Sequence, residues 1–481
     1  MNEQSKNEAS DATRMLVHEA ATIDPEVAKW QTADARLQVS AEDAPPEDIS
    51  AEDTHWISLR FQLSKDALRF RMFVLWMWAL VSAYAMASCT MFLSSRYPVH
   101  GRHGNSTSLR RVSSVDAFVM TSHILVIDIS SAIFVLTGFF AAYTVANIAA
   151  RDRAELCRTV VLYTVIDVWL CAGLALLFGS IFHLSQHSFK PQDLLLTGIE
   201  GITCVRVLEL RQDSESWHSL NPSSWPVLCL VYCWMLTEFT MSNNERLRRC
   251  HPSAAVLPWL NTLLPITIIT FFALVHDNSN IFFLNASNLG YRMLEFNLGI
   301  CFYAALQNHP LTFWKFAAVG NALCPFVLAA FVCTWWAQLG ADITGKEIDE
   351  SCIRMYYFSP CIRMHHGFLM RGCFLGITVM CSILCFSEDS MTRICNVVSI
   401  NAHSLSACVS AILLTWPMCY MVHLLLQANF GQDLVGDNAA LMVLAIPVIT
   451  FQGALLWNDT CKPYVFEHTE MCIKRVFSFR T

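Results

Sequence analysis

Residues 159–183 read TVVLYTVIDVWLCAGLALLFGSIFH, an apolar run with a single formal charge, Asp167. The hydrocarbon core of a bilayer is about 30 Å thick, and a helix needs about 20 apolar residues to cross it. This run is long enough to do so and predicts a transmembrane helix. A carboxyl group inside such a helix usually faces a polar partner or a cavity, and a hydrogen bond to a neighbouring helix is the simplest expectation for Asp167.

Similar apolar runs recur along the chain and define its class. With the first run they fall at about 72–93, 118–149, 159–183, 224–241, 254–276, 293–307, 316–338, 368–386, 404–426 and 439–457. The whole chain is 54% hydrophobic and 15% charged, whereas soluble domains average about 25% charged residues. The sequence therefore predicts an all-α, polytopic membrane protein with about ten transmembrane helices. The second run is too long for one straight crossing, and its first half is expected to be interfacial or re-entrant.

The acidic residues of the chain are unevenly distributed, which suggests its domain organisation. Residues 1–66 contain 14 of the 39 acidic residues, and the rest of the chain is slightly basic. An acidic segment with few apolar residues cannot build a core. We therefore predict a mostly disordered cytosolic tail over 1–66, with a short helix around Ser10–Ala21. A transmembrane domain over 67–465 and a short basic cytosolic tail over 466–481 complete the predicted organisation.

Lys and Arg residues flanking the runs predict the orientation, because they accumulate on the cytosolic side of short loops. With both termini in the cytosol, sixteen basic residues flank the inner side and ten flank the outer side. The glycosylation sequons at Asn105 and Asn285 then lie outside, whereas the sequon at Asn458 lies at the inner end of the last run. We expect an endomembrane or plasma-membrane protein with both termini cytosolic.

Three polar residues in or next to the runs stand out as candidate site residues. Arg292 and Glu295 are three residues apart, so they share one face of a helix. They are either a cavity-lining pair that binds substrate or an ion pair that fixes the helix to a neighbour, and both readings stay open. His423, in an apolar run, could be a general base, a proton relay or a helix contact.

Other site classes have little support in the sequence. The 20 cysteines form no C-x-x-C pair, and most lie in apolar runs, where a thiol behaves as a small hydrophobic group. We expect no metal site, no disulfide framework, no nucleotide-binding motif and no nucleic-acid partner.

Several segments, in the same order, resemble the acyltransferase 3 superfamily of membrane O-acyltransferases. The segments are IFVLTGFF at 133–140, WHSLNPSSW at 217–225, YRMLEFNLG at 291–299, YMVH at 420–423 and Lys462-Pro463. YRMLEFNLG is the most specific, because it matches the family's Arg-x-x-Glu-Phe-x-x-Gly pattern. The resemblance covers about residues 69–465.

The resemblance implies transfer of an acyl group, often acetyl, from acyl-CoA to a hydroxyl of a glycan or lipid acceptor. A base must then take the hydroxyl proton, and a cationic group must hold the donor. Glu295, His423 and Arg292 are the expected catalytic residues. Acyl-CoA is expected at the cytosolic face, where its binding residues would be Arg71, Arg151, Arg153 and Arg158.

One departure from the family pattern keeps other functions open. The family's first helix carries an arginine and, eleven residues later, a histidine presumed to be catalytic. Arg71 fits the first position, but Ser82 occupies the second. A non-catalytic lipid- or sterol-handling transporter, or a pseudoenzyme on the same fold, is therefore the main alternative. An ion-coupled transporter of another family is a third, because Asp128, Asp167 and Glu295 all lie in apolar runs.

Overall fold

The computed structural model describes most of the apolar runs and few of the connections between them. The described residues are 65–96, 109–111, 114–146, 152–185, 191, 194–195, 198–199, 220–221, 224–250, 289–308, 310–334, 347–349, 367–385, 403–430 and 439–478. The predicted N-terminal helix at Ser10–Ala21 and the predicted run 254–276 lie outside them.

Helices account for nearly all of the described chain. In order they are α1 (Lys65–Arg96), α2 (Ser114–Ala146), α3 (Arg153–Ser185), α4 (Trp225–Cys250), α5 (Leu289–Asn308), α6 (Pro310–Thr334), α7 (Gly367–Cys385), α8 (His403–Phe430), α9 (Ala439–Leu456) and α10 (Lys462–Ser478). A π-helical turn, Trp457–Cys461, joins α9 to α10 without a break. The helical class predicted from the sequence is confirmed for these residues.

Five of the described segments are long and apolar enough to cross a membrane. They are Arg69–Leu93, Leu125–Ala146, Arg153–Ser185, Leu405–Asn429 and Leu441–Cys472. Shorter apolar helices lie at Trp225–Thr237, Lys315–Ala330 and Gly372–Cys385. The second predicted run, 118–149, was expected to have an interfacial or re-entrant first half. Helix α2 instead covers most of this run as one continuous helix of 33 residues. The chain is thus a helical protein with several candidate membrane-spanning helices.

Two very short strands accompany the helices. β1 (Leu109–Arg111) pairs with β2 (Glu347–Asp349) in an antiparallel ribbon in which Arg110 lies opposite Ile348. The ribbon joins the connection before α2 to the connection before α7.

Helix α2 lies at the centre of the described helices and packs against α1, α5 and α7. Glycines allow the close approach. A Cβ at Gly138 of α2 would overlap the backbone of Phe296 in α5, and one at Gly299 of α5 would overlap the backbone of Val135. Without a hydrophobic force between helices in lipid, small residues that let backbones meet are a main source of association.

Helix α7 packs on the same central helix through glycines of its own. A Cβ at Gly372 would come within 2.6 Å of the Ser131 side chain, and one at Gly376 would lie 3.0 Å from the Cα of Ala132. The segment from 128 to 140 of α2 is thereby held between α5 and α7. This contact positions the polar residues described next.

Candidate functional site

A buried ion pair lies where α2, α5 and α7 meet. Arg292 Nη1 donates to Glu295 Oε2 at 2.5 Å, and the two side chains are 1% and 0% exposed. The three-residue spacing on α5 brings the groups together on one face, as the sequence predicted. A buried charge is tolerated when it is paired and hydrogen-bonded. The pairing therefore explains why both charged groups can be buried.

The guanidinium of Arg292 is surrounded by groups from other helices. Its Nη1 also donates to Ser131 Oγ of α2 at 2.8 Å. Its Cζ lies over three aromatic rings, 5.2 Å from the centroid of Trp225 in α4, 5.4 Å from Tyr291 and 5.9 Å from Phe134. An arginine stacked on aromatic faces gains a cation–π attraction that strengthens when water is excluded. Arg292 therefore links α2 and α4 to α5.

The carboxylate of Glu295 has a second neighbour on α7. The thiol of Cys373 donates to Glu295 Oε1 at 3.9 Å, and both residues are buried. Asp128, one turn before Ser131 on α2, is also fully buried, and Gly372 packs against its backbone. Sequence reasoning did not find the roles of Ser131, Trp225 and Cys373, because only helix packing brings them to the pair.

His423 lies in an aromatic cluster made by the C-terminal halves of three helices. Its ring centroid is 4.9 Å from Phe182 of α3, with near-perpendicular planes, and 6.0 Å from Phe92 of α1. Phe92 also packs edge-on against Trp416 and Tyr420 of α8. His423 is 4% exposed. The contacts around Glu295 and those around His423 define two separate environments.

Three of the four basic residues expected to hold the acyl-CoA lie near helix starts. Arg71, in the second turn of α1, and Arg158, in the second turn of α3, are exposed, and Arg153 is partly exposed. Arg151 lies outside the described residues. Arg71, Arg153 and Arg158 thus place positive charge at the starts of α1 and α3.

A second buried ion pair joins α3 to α10. Lys462 Nζ donates to Asp167 Oδ2 at 2.7 Å, and both side chains are 1% exposed. Lys462 also donates to Ser406 Oγ at 2.6 Å and to Asn458 Oδ1 at 3.2 Å, while Trp457 Nε1 donates to Asp167 Oδ1 at 2.8 Å. The sequence predicted a hydrogen-bonded Asp167 but not its partners, which lie about 290 residues further along the chain.

Ser82 lies eleven residues after Arg71, where the expected resemblance predicts a histidine. Its Oγ donates to the Trp78 carbonyl oxygen at 2.8 Å, a bond within its own helix. A serine bonded in this way supplies no base.

Among the residues that the structure describes, no group of three or more His, Cys, Asp or Glu side chains is placed to hold a metal ion.

Comparisons with known proteins do not assign this chain to a family. No family model, no curated protein and no solved structure matches it.

Proposed function

We propose that the chain is an integral membrane acyltransferase that moves an acyl group from acyl-CoA to a hydroxyl of a glycan or lipid. One observation carries the proposal: three of the segments that resemble the acyltransferase 3 superfamily meet at one guanidinium. Phe134 comes from the first segment, Trp225 from the second and Arg292 from the third. The three segments are far apart in sequence. Their shared contact with one charged group explains why an aromatic residue occurs in each of the first two segments and an arginine in the third.

The fourth segment, at 420–423, lies on a helix that contacts the second segment. Asn221 Nδ2 donates to the Leu413 carbonyl oxygen of α8 at 3.1 Å, two turns before the Tyr420–His423 segment. Gly179 of α3 packs against both Leu220 and Tyr420. The four segments thus lie on helices that pack against one another.

The contacts of Arg292 and Glu295 decide the roles of these two residues in the proposal. Glu295 already interacts through both carboxylate oxygens, with Arg292 and with Cys373. We therefore assign Arg292 and Glu295 as positioning residues that hold α2, α4, α5 and α7 together. His423 is assigned as the general base that takes the proton of the acceptor hydroxyl. Arg71, Arg151, Arg153 and Arg158 are assigned to the phosphates of the donor.

Membranes that contain the full chain, incubated with radiolabelled acetyl-CoA, provide the test. Label should accumulate in the extracted lipid or glycan fraction. Loss of a general base lowers acyl transfer by about 10²–10⁴-fold, so His423→Ala should abolish most of the signal. His183→Ala is the matched control, because His183 also contacts Phe182 and Tyr420. Label in no fraction of wild-type membranes would contradict the proposal, and equal loss in both variants would contradict the role of His423.

A second function, a non-catalytic lipid-handling protein on the same fold, is favoured by Ser82. The residue in the position of the family's histidine is bonded to its own helix. This alternative predicts binding of acyl lipid by the wild-type protein without any turnover of acetyl-CoA. Release of the CoA thiol, followed with a thiol reagent, separates the two functions.

The proposed membrane topology has ten spans and both termini on the cytosolic side. The β1–β2 ribbon supports it, because paired strands lie on the same side of the bilayer. Five described helices, α2 to α6, lie between the two strands. If all five cross, a sixth crossing is needed to return to that side, and the apolar run 254–276 would supply it. A lumenal or extracellular ribbon then leaves both termini inside.

A further inference from the structure

The π turn between α9 and α10 coincides with the buried carboxylate of Asp167. Trp457 is the first residue of the turn, and Lys462 follows its last residue, Cys461. The two residues that bracket the turn donate to the two oxygens of the same carboxylate, Trp457 Nε1 to Oδ1 and Lys462 Nζ to Oδ2. One acceptor group on α3 thus holds both ends of the turn.

Helix geometry explains why this arrangement requires a π turn. Trp457 and Lys462 are five residues apart, and in an α-helix that spacing places two side chains about 140° from each other. In a π-helix the backbone bonds from i to i+5, so residues five apart lie above one another. The backbone N–H of Lys462 does donate to the Trp457 carbonyl oxygen. Only the π form therefore presents both side chains to Asp167.

A regular α-helix would present a different residue to α3. Residues four apart share a face in that geometry, so the residue on the same face as Trp457 would be Cys461. Its side chain is neutral, and in the π form it is exposed. Lys462 would turn away from Asp167 and from Ser406. An ammonium inside a membrane-spanning segment is unfavourable unless it is paired, and here its three donors meet three acceptors. The ion pair therefore favours the π form.

We propose that the Asp167–Lys462 ion pair acts as a register device: by stabilising the π turn, it sets the rotation of α10 about its axis. With the pair intact, the π turn absorbs one residue of the helix. When the charges are removed, the turn relaxes to an α-helix, and every residue beyond it advances by one position. The rotation of α10 thus depends on the ion pair that its first residue, Lys462, makes with α3. The device is independent of the proposed acyl transfer.

One contact of α10 reports the register directly. Phe466 is 7% exposed, and its ring centroid lies 4.1 Å from that of Tyr163 in α3. Val465 is 37% exposed. In the relaxed form Val465 takes the angular position of Phe466 and faces α3, while Phe466 rotates outward by about 100°. The device therefore changes which residue of α10 contacts residue 163.

Cysteine cross-linking in the full chain measures this change. Tyr163→Cys is combined in turn with Val465→Cys, Phe466→Cys and Glu467→Cys, and the cross-linked peptides are identified by mass spectrometry, which separates them from native cysteines. The wild-type background should favour the 163–466 pair. In the background of Asp167→Asn with Lys462→Met, which leaves no unpaired charge, the favoured partner should shift by one residue to 465.

Two further backgrounds make the result decisive. Asp459→Asn removes an exposed carboxylate within the same turn, and it should keep the 163–466 pair. Deletion of Asp459 from the charge-free background removes the residue that the π turn absorbs, so it should restore the 163–466 pair. The proposal is overturned if the charge-free background keeps 466 as the favoured partner. It is equally overturned if that background cross-links none of the three positions and the deletion restores none.

Discussion

Arg292 and Glu295 show how a single residue spacing can hold several helices together. The pair is buried, and the guanidinium contacts side chains of α2 and α4 as well as its own helix. Planar guanidinium groups bond carboxylates and stack on rings at the same time, which an ammonium group cannot do in the same way. This is the physical reason for an arginine at position 292.

Removing one partner of this pair should destabilise the protein strongly. Breaking a buried ion pair from one side costs about 3–5 kcal/mol, because a charge is left without compensation. Glu295→Leu is therefore expected to lower the unfolding temperature of the purified protein in detergent far more than Arg292→Met with Glu295→Leu together. The positioning role would be wrong if the double variant were the less stable of the two.

Close backbone contact is the main feature at the scale of the helices. Gly138 and Gly299 lie where α2 and α5 touch, so that neither position has room for a Cβ. These glycines belong to two of the segments on which the expected resemblance to the acyltransferase 3 superfamily rests. Their identity is explained by packing whether or not the protein is an enzyme.

An alanine at Gly299 should force α2 and α5 apart. Overpacking typically costs about 1–3 kcal/mol, and the shift would also disturb the contacts of Arg292. Gly173→Ala is a matched control, because a Cβ there meets nothing within 4 Å and alanine is the better helix former. Thermal unfolding of both variants checks the prediction, which fails if Gly299→Ala is as stable as Gly173→Ala.

At the scale of the whole molecule, the proposed topology predicts which of the three sequons are glycosylated. Asn105 and Asn285 fall in connections assigned to the outer side. Asn458 lies in the π turn, 8% exposed, and its amide donates to Ser410 Oγ and to the Ala454 carbonyl oxygen. A glycan on Asn458 is incompatible with these contacts.

Expression in a cell that performs N-glycosylation tests this assignment. Glycosidase treatment should reduce the apparent mass of the protein, and Asn105→Gln with Asn285→Gln should remove the whole of that reduction. A glycosidase-sensitive band that persists in the double variant would place another site on the outer side. The topology would then be wrong.

The sequence alone was sufficient to predict the helical class and several helices long and apolar enough to cross a membrane, because hydrophobic length is a local property of the chain. It also predicted that Arg292 and Glu295 share a face, because helical periodicity is local too. Ser131, Trp225 and Cys373 could not be placed beside that pair, and Lys462 could not be matched to Asp167. Those contacts depend on which helices pack together and, for Lys462, on a π turn that a carboxylate about 290 residues away stabilises. Non-local packing decides them, and only the tertiary structure contains it.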